Sequence, residues 1–294
     1  MSENPKTILT HSNPKIIKAQ PLAHGERWLP AIIHLTPHRR AGAGNVCPNA
    51  TFGAHGCAAP CLDTSGHGGI GSLTTNKVQL ARKRRTRFWF DHREDFVRMA
   101  TTEIGAMVRK ADRLPEFQGV AIRPNGTSDL RELAFSLIDS VNKEFPDAPV
   151  MFYDYTKIPW VFESGPWLRS NYHLTLSWSG MIDNAHDSLQ ALHHGCNVAA
   201  MHEATFSNPS LTHATITTPK GTARTFSTFD ADSYDLRFLD CNRRHPSRNP
   251  EGEGRVGILK PKGKAKKSRF PGFAGKVLGQ ELILQPDPSA KLKG

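Results

Sequence analysis

The stretch Gly119-Val-Ala-Ile-Arg-Pro-Asn-Gly-Thr-Ser-Asp129-Leu-Arg-Glu-Leu-Ala-Phe-Ser-Leu-Ile-Asp-Ser-Val-Asn-Lys-Glu144, closed by Val150-Met-Phe-Tyr-Asp-Tyr155, decides the fold class. Gly119–Ile122 is a short apolar run of strand length. Leu130, Leu133, Ala134, Leu137, Ile138 and Val141 then recur at three- and four-residue spacing, the mark of one buried helix face. Asp129-Leu-Arg-Glu132 fits a capping box at its start. Val150–Tyr155 is again a strand. Strand, helix and strand in this order predict a βαβ unit and a parallel sheet.

The pattern extends on both sides. Trp28-Leu-Pro-Ala-Ile-Ile-His-Leu-Thr36 reads as a buried strand. A basic helix is expected over about Asn76 to Phe90. A second is expected from the capping box Asp91-His-Arg-Glu94 through Phe96, Val97, Ala100, Ile104, Met107, Val108 and Ala111, and Pro115 ends it. Tyr172–Ser177 reads as a strand, Asp183–His194 as a helix and Asn197–Met201 as a strand. Leu236–Leu239 and Val256–Leu259 are expected as two late strands. The fold class is therefore α/β, a partial or complete (β/α) barrel-like parallel sheet with a long N-terminal cysteine loop. Residues 1–27 are expected to be a flexible arm and 281–294 a C-terminal tail. Residues 28–280 form a single domain that carries the cysteine loop 41–76 and a basic loop 254–276.

No run approaches the ~18 apolar residues that a membrane span requires. The N-terminus lacks the basic-then-apolar layout of a signal peptide. A cytoplasmic protein with no membrane role is expected. Lysine and arginine total 38 against 27 acidic residues, a net charge of +11. Such a balance favours polyanionic partners, nucleic acid first among them. Two clusters carry that expectation, Arg82, Lys83, Arg84, Arg85 and Arg87, and then Lys260, Lys262, Lys264, Lys266 and Lys267. A charge run is also the ordinary look of a solvated face.

Three of the five cysteines lie in Asn45-Val-Cys47-Pro-Asn-Ala-Thr-Phe-Gly-Ala-His55-Gly-Cys57-Ala-Ala-Pro-Cys61, a C-x9-C-x3-C spacing directly after the first strand. Loops at the carboxyl ends of parallel strands are where such folds place their chemistry. Clustered thiols in a reducing compartment point to a metal rather than to disulfides. One reading is an iron–sulfur cluster on Cys47, Cys57 and Cys61, a [4Fe–4S] centre with one iron open to a small molecule. The other is zinc, with His55 or His67 completing a tetrahedron. Three buried thiols without metal are the bland alternative. Cys196 and Cys241 stand alone and read as incidental.

Asn125, Thr127, Ser128 and Asp129 follow a strand. They could hold a ribose or phosphate through backbone N–H groups and hydroxyls, or simply cap the next helix. Tyr153 and Tyr155 share one face of their strand and Asp154 takes the other. The two rings could stack a base or pack as core, and Lys157 could bind an anion or be solvated. No Walker loop, dinucleotide fingerprint or serine-hydrolase elbow occurs.

These pieces resemble a phage and prophage protein family of unknown function with a three-cysteine loop. The resemblance runs over roughly residues 28–270. It is carried by the Cys47/Cys57/Cys61 loop, Asn125–Asp129, Phe152-Tyr-Asp-Tyr-Thr-Lys157, Asn171-Tyr-His-Leu-Thr175, Asp235-Leu-Arg-Phe-Leu-Asp240 and Lys260-Pro-Lys-Gly-Lys-Ala-Lys-Lys267. More loosely, a three-cysteine loop after the first strand of an alternating chain is similar to radical S-adenosylmethionine enzymes, whose usual spacing is C-x3-C-x2-C. That likeness implies an enzyme with S-adenosylmethionine on the open iron and a nucleic acid, nucleotide or protein substrate. The alternatives are a zinc-stapled nucleic-acid-binding protein without catalysis and a metal-dependent hydrolase or nuclease.

Overall fold

The computed structural model describes residues 4–11, 25–52, 57–58, 61, 74–159, 169–203, 210–240, 252–266, 273–287 and 291–292. In chain order the elements are β1 (Leu9–Thr10), β2 (Trp28–Ile33), β3 (Thr51–Phe52), α1 (Lys77–Asp91), α2 (Arg93–Ala111), β4 (Gly119–Arg123), α3 (Arg131–Glu144), β5 (Val150–Thr156), β6 (Tyr172–Ser177), α4 (Ile182–His193) and β7 (Val198–His202). They continue with β8 (His213–Thr217), β9 (Ala223–Asp230), β10 (Val256–Leu259), β11 (Ala274–Leu278), β12 (Glu281–Leu284) and β13 (Lys291–Leu292). Among the described residues no helix is long and apolar enough to cross a membrane.

Strands β2, β4, β5, β6 and β7 lie side by side in chain order, each parallel to the next. Their alternation sorts two faces. Ala31, Ile33, Val120, Ile122, Val150 and Phe152 join the helix residues Phe96, Ile104, Leu133, Leu137 and Val141 in the main core. Trp28, Ala121 and Tyr153 point the other way, where Leu236 and Phe238 cover them. Parallel neighbours in sequence order need crossovers of one hand, which puts the connecting helices on a single face.

The sheet does not continue as parallel β/α units. Strand β7 pairs on its far side with both β10 and β11, and the order β7-β10-β9-β8-β12-β11 returns to β7 as a closed six-stranded barrel. The β8–β9 and β11–β12 pairs are antiparallel. The fold is thus mixed α/β with a closed six-stranded barrel and four helices among the described residues, not a uniformly parallel (β/α) barrel. Of the barrel strands, β7 and β10 coincide with runs expected at Asn197–Met201 and Val256–Leu259, but β8 and β9 showed no clear apolar pattern because they are rich in threonine: β9, Ala-Arg-Thr-Phe-Ser-Thr-Phe-Asp, buries Phe226 while most of its length is exposed. Strand β12 also carries the barrel beyond the boundary expected at residue 280. At the other end, β1 belongs to the stretch expected as a loose arm, yet it pairs antiparallel with β2, and the Ile8 and Leu9 N–H groups donate to the Glu103 carboxylate at 2.7 and 2.8 Å.

Three local expectations are corrected. Leu236–Leu239 is not a strand: Arg237–Asp240 is a 3-10 turn. That turn brings residues three apart to one side, so Arg237 Nε lies 3.3 Å from the Asp240 carboxylate with both side chains buried. Asp91 is the last residue of α1 rather than the cap of α2, and the cap position falls to His92 without a side-chain bond. Asp129 does not cap α3 either. The cap position is Leu130, because the Asp129 carboxylate is taken by the backbone and hydroxyl of the neighbouring strand end.

Gly119 shows why β4 begins where it does. Its φ of 155° is one that side chains rarely adopt, and a Cβ there would sit 2.0 Å from the Pro149 carbonyl oxygen that accepts the Val120 N–H. Only glycine lets β4 close on the start of β5.

Candidate functional site

The carboxyl ends of β2, β4 and β5 meet in one knot of hydrogen bonds, and Asn125 is its centre. Its Nδ2 donates to the Leu130 carbonyl at 3.2 Å and to Asp154 Oδ2 at 3.0 Å. Its Oδ1 accepts from Ser128 Oγ at 2.8 Å and from the Leu130 N–H at 2.9 Å. The Asn125 N–H donates to the other Asp154 oxygen at 2.8 Å, and Tyr172 OH adds a third donor to that carboxylate at 3.0 Å. Thr127 Oγ1 donates to the Leu35 carbonyl at the end of β2. Gly126 presses against β2, where a Cβ would lie 2.3 Å from Ile32.

The side chains of Asn125, Thr127, Ser128 and Asp129 are therefore spent inside the protein. Their arrangement is a buckle across three strands, and any ligand contact from this turn would come from backbone groups. Asp129 extends the buckle to the cysteine loop. Its N–H donates to the Val46 carbonyl at 2.8 Å, and its carboxylate accepts from the Lys157 N–H and Thr156 Oγ1, both at 2.8 Å. Asn49 Nδ2 reaches the Lys157 carbonyl at 2.9 Å. The loop following the first parallel strand is thus tied to the ends of the second and third.

Cys47 sits on this knot, with its Sγ 3.8 Å from the Thr127 carbonyl. Burial pushes its thiol up to about 12; Asp129, Cys61 and Cys57 push the same way, against a backbone N–H at His38 that favours the thiolate. Without a cation beside it this sulfur stays protonated; a bound metal ion is the ordinary way such a thiol becomes a ligand. Lys157 supplies positive charge nearby. Burial works against its ammonium, yet Cys57, Asp129, Cys47 and Cys61 together hold its pKa above the usual lysine value. One lysine therefore lies within electrostatic reach of all three loop sulfurs. Cys47, Cys57 and Cys61 are each partly exposed, whereas Cys196 is buried in the core. Among the described residues no three His, Cys, Asp or Glu side chains converge tightly enough to hold a metal ion. His55, His67 and Cys241 lie outside the described residues.

Tyr153 and Tyr155 share the helix-free face, opposite Asp154, as the alternation requires. Neither ring is open to a base: Tyr153 is buried against Phe238 and donates to Asp235, and the Arg123 guanidinium lies 4.6 Å over the Tyr155 ring. The first basic cluster is largely structural. Arg82 is buried, Arg85 donates to the Thr7 carbonyl at 2.8 Å, and Arg87 donates to the Ala41 carbonyl at 3.2 Å. Arg84 stays exposed and Lys83 half-buried. In the second cluster Lys262 pairs with Asp232, Lys260 is half-buried and Lys264 is exposed. The Lys266 side chain and Lys267 lie outside what is described.

Sequence reasoning passed over four residues of the helix-free face. His34, at the end of β2, is held near 3 by burial and by Arg82, Arg123 and Arg85, so its imidazole is neutral at physiological pH. Arg123 bonds the Asp235 carboxylate at 3.2 and 3.4 Å, and Arg237 donates to the Tyr234 carbonyl at 2.5 Å. The available signal was the charge pattern of Asp235-Leu-Arg237, which a hydrophobic reading treats as a strand.

No curated protein and no solved structure matches the chain. The model of the family described as Gene product 88 matches residues 7–271, which spans β1, all four helices, the cysteine loop and the strands through β10. The chain belongs to the Gene product 88 family of phage proteins.

Proposed function

We propose that this protein is an iron–sulfur enzyme of the radical S-adenosylmethionine kind, with its cluster on Cys47, Cys57 and Cys61 at the carboxyl edge of the five parallel strands. One observation carries the reading: the three-cysteine loop leaving the first parallel strand is pinned to the ends of the next two strands, with Lys157 in electrostatic reach of its sulfurs. The donor chemistry fits, since three thiolates leave one iron of a four-iron cluster open. When bound, that centre supplies the electron for reductive cleavage of S-adenosylmethionine to a radical.

The chain's own residues do the positioning. The Asp129 N–H fixes Val46, and with it Cys47. Asp129 and Asn49 grip both backbone sides of Lys157. The Lys157 ammonium offsets negative charge that collects on three thiolates. The Asn125–Asp129 turn backs Cys47, whose Sγ lies 3.8 Å from the Thr127 carbonyl, and holds the loop in place. The five parallel strands in chain order, with helices on one face, place this loop at their carboxyl ends, where such sheets carry their chemistry. A phage setting directs the substrate search to nucleic acid, nucleotides and proteins of the host.

The test is anaerobic reconstitution with iron and sulfide, followed by dithionite and S-adenosylmethionine. Release of methionine that disappears in the Cys47/Cys57/Cys61 triple alanine variant is the expected result. A reconstituted cluster that leaves S-adenosylmethionine unbound and intact would remove the enzyme reading. Tight stoichiometric zinc with salt-sensitive DNA or RNA binding would replace it with a zinc-stapled binder.

A further inference from the structure

The helix-free face of the parallel strands carries a buried polar layer in which, among the described residues, three guanidiniums face two carboxylates. Arg123 spends Nη1 on Asp235, and among the described residues no partner reaches its Nε. Arg237 is fully buried; its Nη2 bonds the Tyr234 carbonyl, and its Nη1 has no partner among the described residues. Tyr155 OH, under the Arg123 guanidinium, is likewise buried and unsatisfied there. Arg123 lies over the Tyr155 ring, the 3-10 turn that carries Arg237 packs on the strand that carries Tyr155, and both guanidiniums act electrostatically on that hydroxyl. Buried polar atoms normally find partners, and these three, on separate side chains, have none among the described residues.

Charge points the same way. Arg255 donates to the Asp240 carbonyl at 3.4 Å, so the layer holds the guanidiniums Arg123, Arg237 and Arg255 against the carboxylates Asp235 and Asp240. Guanidinium N–H groups and a phenol are donors to an oxyanion, and surplus positive charge in a low-dielectric layer favours one.

We propose that Arg123, Tyr155 and Arg237 bind an oxyanion, a phosphate or carboxylate group of a ligand seated on the helix-free face. The site does not involve the cysteine loop and stands whether or not that loop holds a cluster.

Calorimetric titration of the full-length protein with inorganic phosphate, and separately with acetate, tests it. Saturable one-to-one binding is expected, weakened about tenfold in Tyr155→Phe, the loss of one hydrogen bond to a charged group. Tyr155→Phe leaves no abandoned partner, so its ligand-free melting temperature should equal or exceed the parent's. Arg123→Lys keeps a charge for Asp235 and should also weaken binding. The Cys47/Cys57/Cys61 triple alanine variant should bind like the parent. Tighter phosphate than acetate assigns a phosphorylated ligand, and the reverse assigns a carboxylate. Absence of saturable binding of either ion, unchanged affinity in Tyr155→Phe, or a high-resolution structure in phosphate with only water at the three donors would overturn the proposal.

Discussion

Replacing Asn125 with alanine removes the centre of the buckle and should cost more than any other single polar truncation in the turn. Four hydrogen bonds go at once, two donated by Nδ2 and two accepted by Oδ1. The side chain is 4% exposed, so water does not readily replace it. Each bond contributes about 1 kcal/mol net, and abandoned buried partners add to the loss. The total is about 3–5 kcal/mol, a fall of roughly 5–8 °C in melting temperature for a domain of this size. Scanning calorimetry measures it directly. Ser128→Ala is the internal control, because it removes only the bond to Asn125 Oδ1 and should cost about 1 kcal/mol. Thiol labelling gives a second readout. With the turn loosened, the Asp129 N–H to Val46 link no longer pins the cysteine loop, and Cys47 should react faster. An Asn125→Ala melt indistinguishable from that of Ser128→Ala would refute the reasoning, since the knot would then hold without its centre.

Three further outcomes follow from the same geometry. Gly119→Ala drives a Cβ into the Pro149 carbonyl and the Trp28 ring, and should destabilise by at least about 3 kcal/mol in denaturant titration. Burial pushes the Asp154 carboxyl up to about 7, against donors from Asn125 and Tyr172 and the charge of Arg123. The folded chain then keeps a proton that the unfolded chain releases near 4, so stability from this group is fully present below pH 4 and is lost as pH rises to about 7. The span is at most about 4 kcal/mol, and Asp154→Asn should flatten the stability profile across that window. Glu103→Ala leaves the Ile8 and Leu9 N–H groups without their acceptors. It should cost about 2 kcal/mol and speed proteolytic cleavage ahead of residue 25.

How much could be read from the chain beforehand depends on the length and purity of each apolar pattern. The five parallel strands and their helices were legible because Val120 with Ile122, Phe152, Leu174 with Leu176, and Val198 with Ala200 are buried in short unbroken runs, and the helices between them show one apolar face. The barrel was not, since β8 and β9 each bury few side chains and their other face is threonine and charge. Closure also depends on β7 pairing with two strands from distant parts of the chain. Non-local pairing leaves no periodic mark. The cysteine loop was visible as spacing. Its attachment to Lys157 was not, because Asn49 and Asp129 reach backbone groups 108 and 28 residues away, respectively. The polar turn Asn125–Asp129 was recognised as special, but composition could not tell a ligand cradle from a buckle. Only the partners of Asn125 Nδ2 and Thr127 Oγ1 decide that. Arg237 shows the reverse failure: a buried arginine inside an apolar run looks like strand until its pairing with Asp240 is seen.

The central claim is that Cys47, Cys57 and Cys61 hold one iron–sulfur centre, and metal analysis of protein purified without oxygen tests it most directly. Iron, acid-labile sulfide and zinc should be measured on the parent and on the triple alanine variant, together with the visible spectrum. About four irons and matching sulfide per chain are expected, with broad visible absorption, all lost in the variant. One zinc per chain, or no bound metal in either protein, would contradict it.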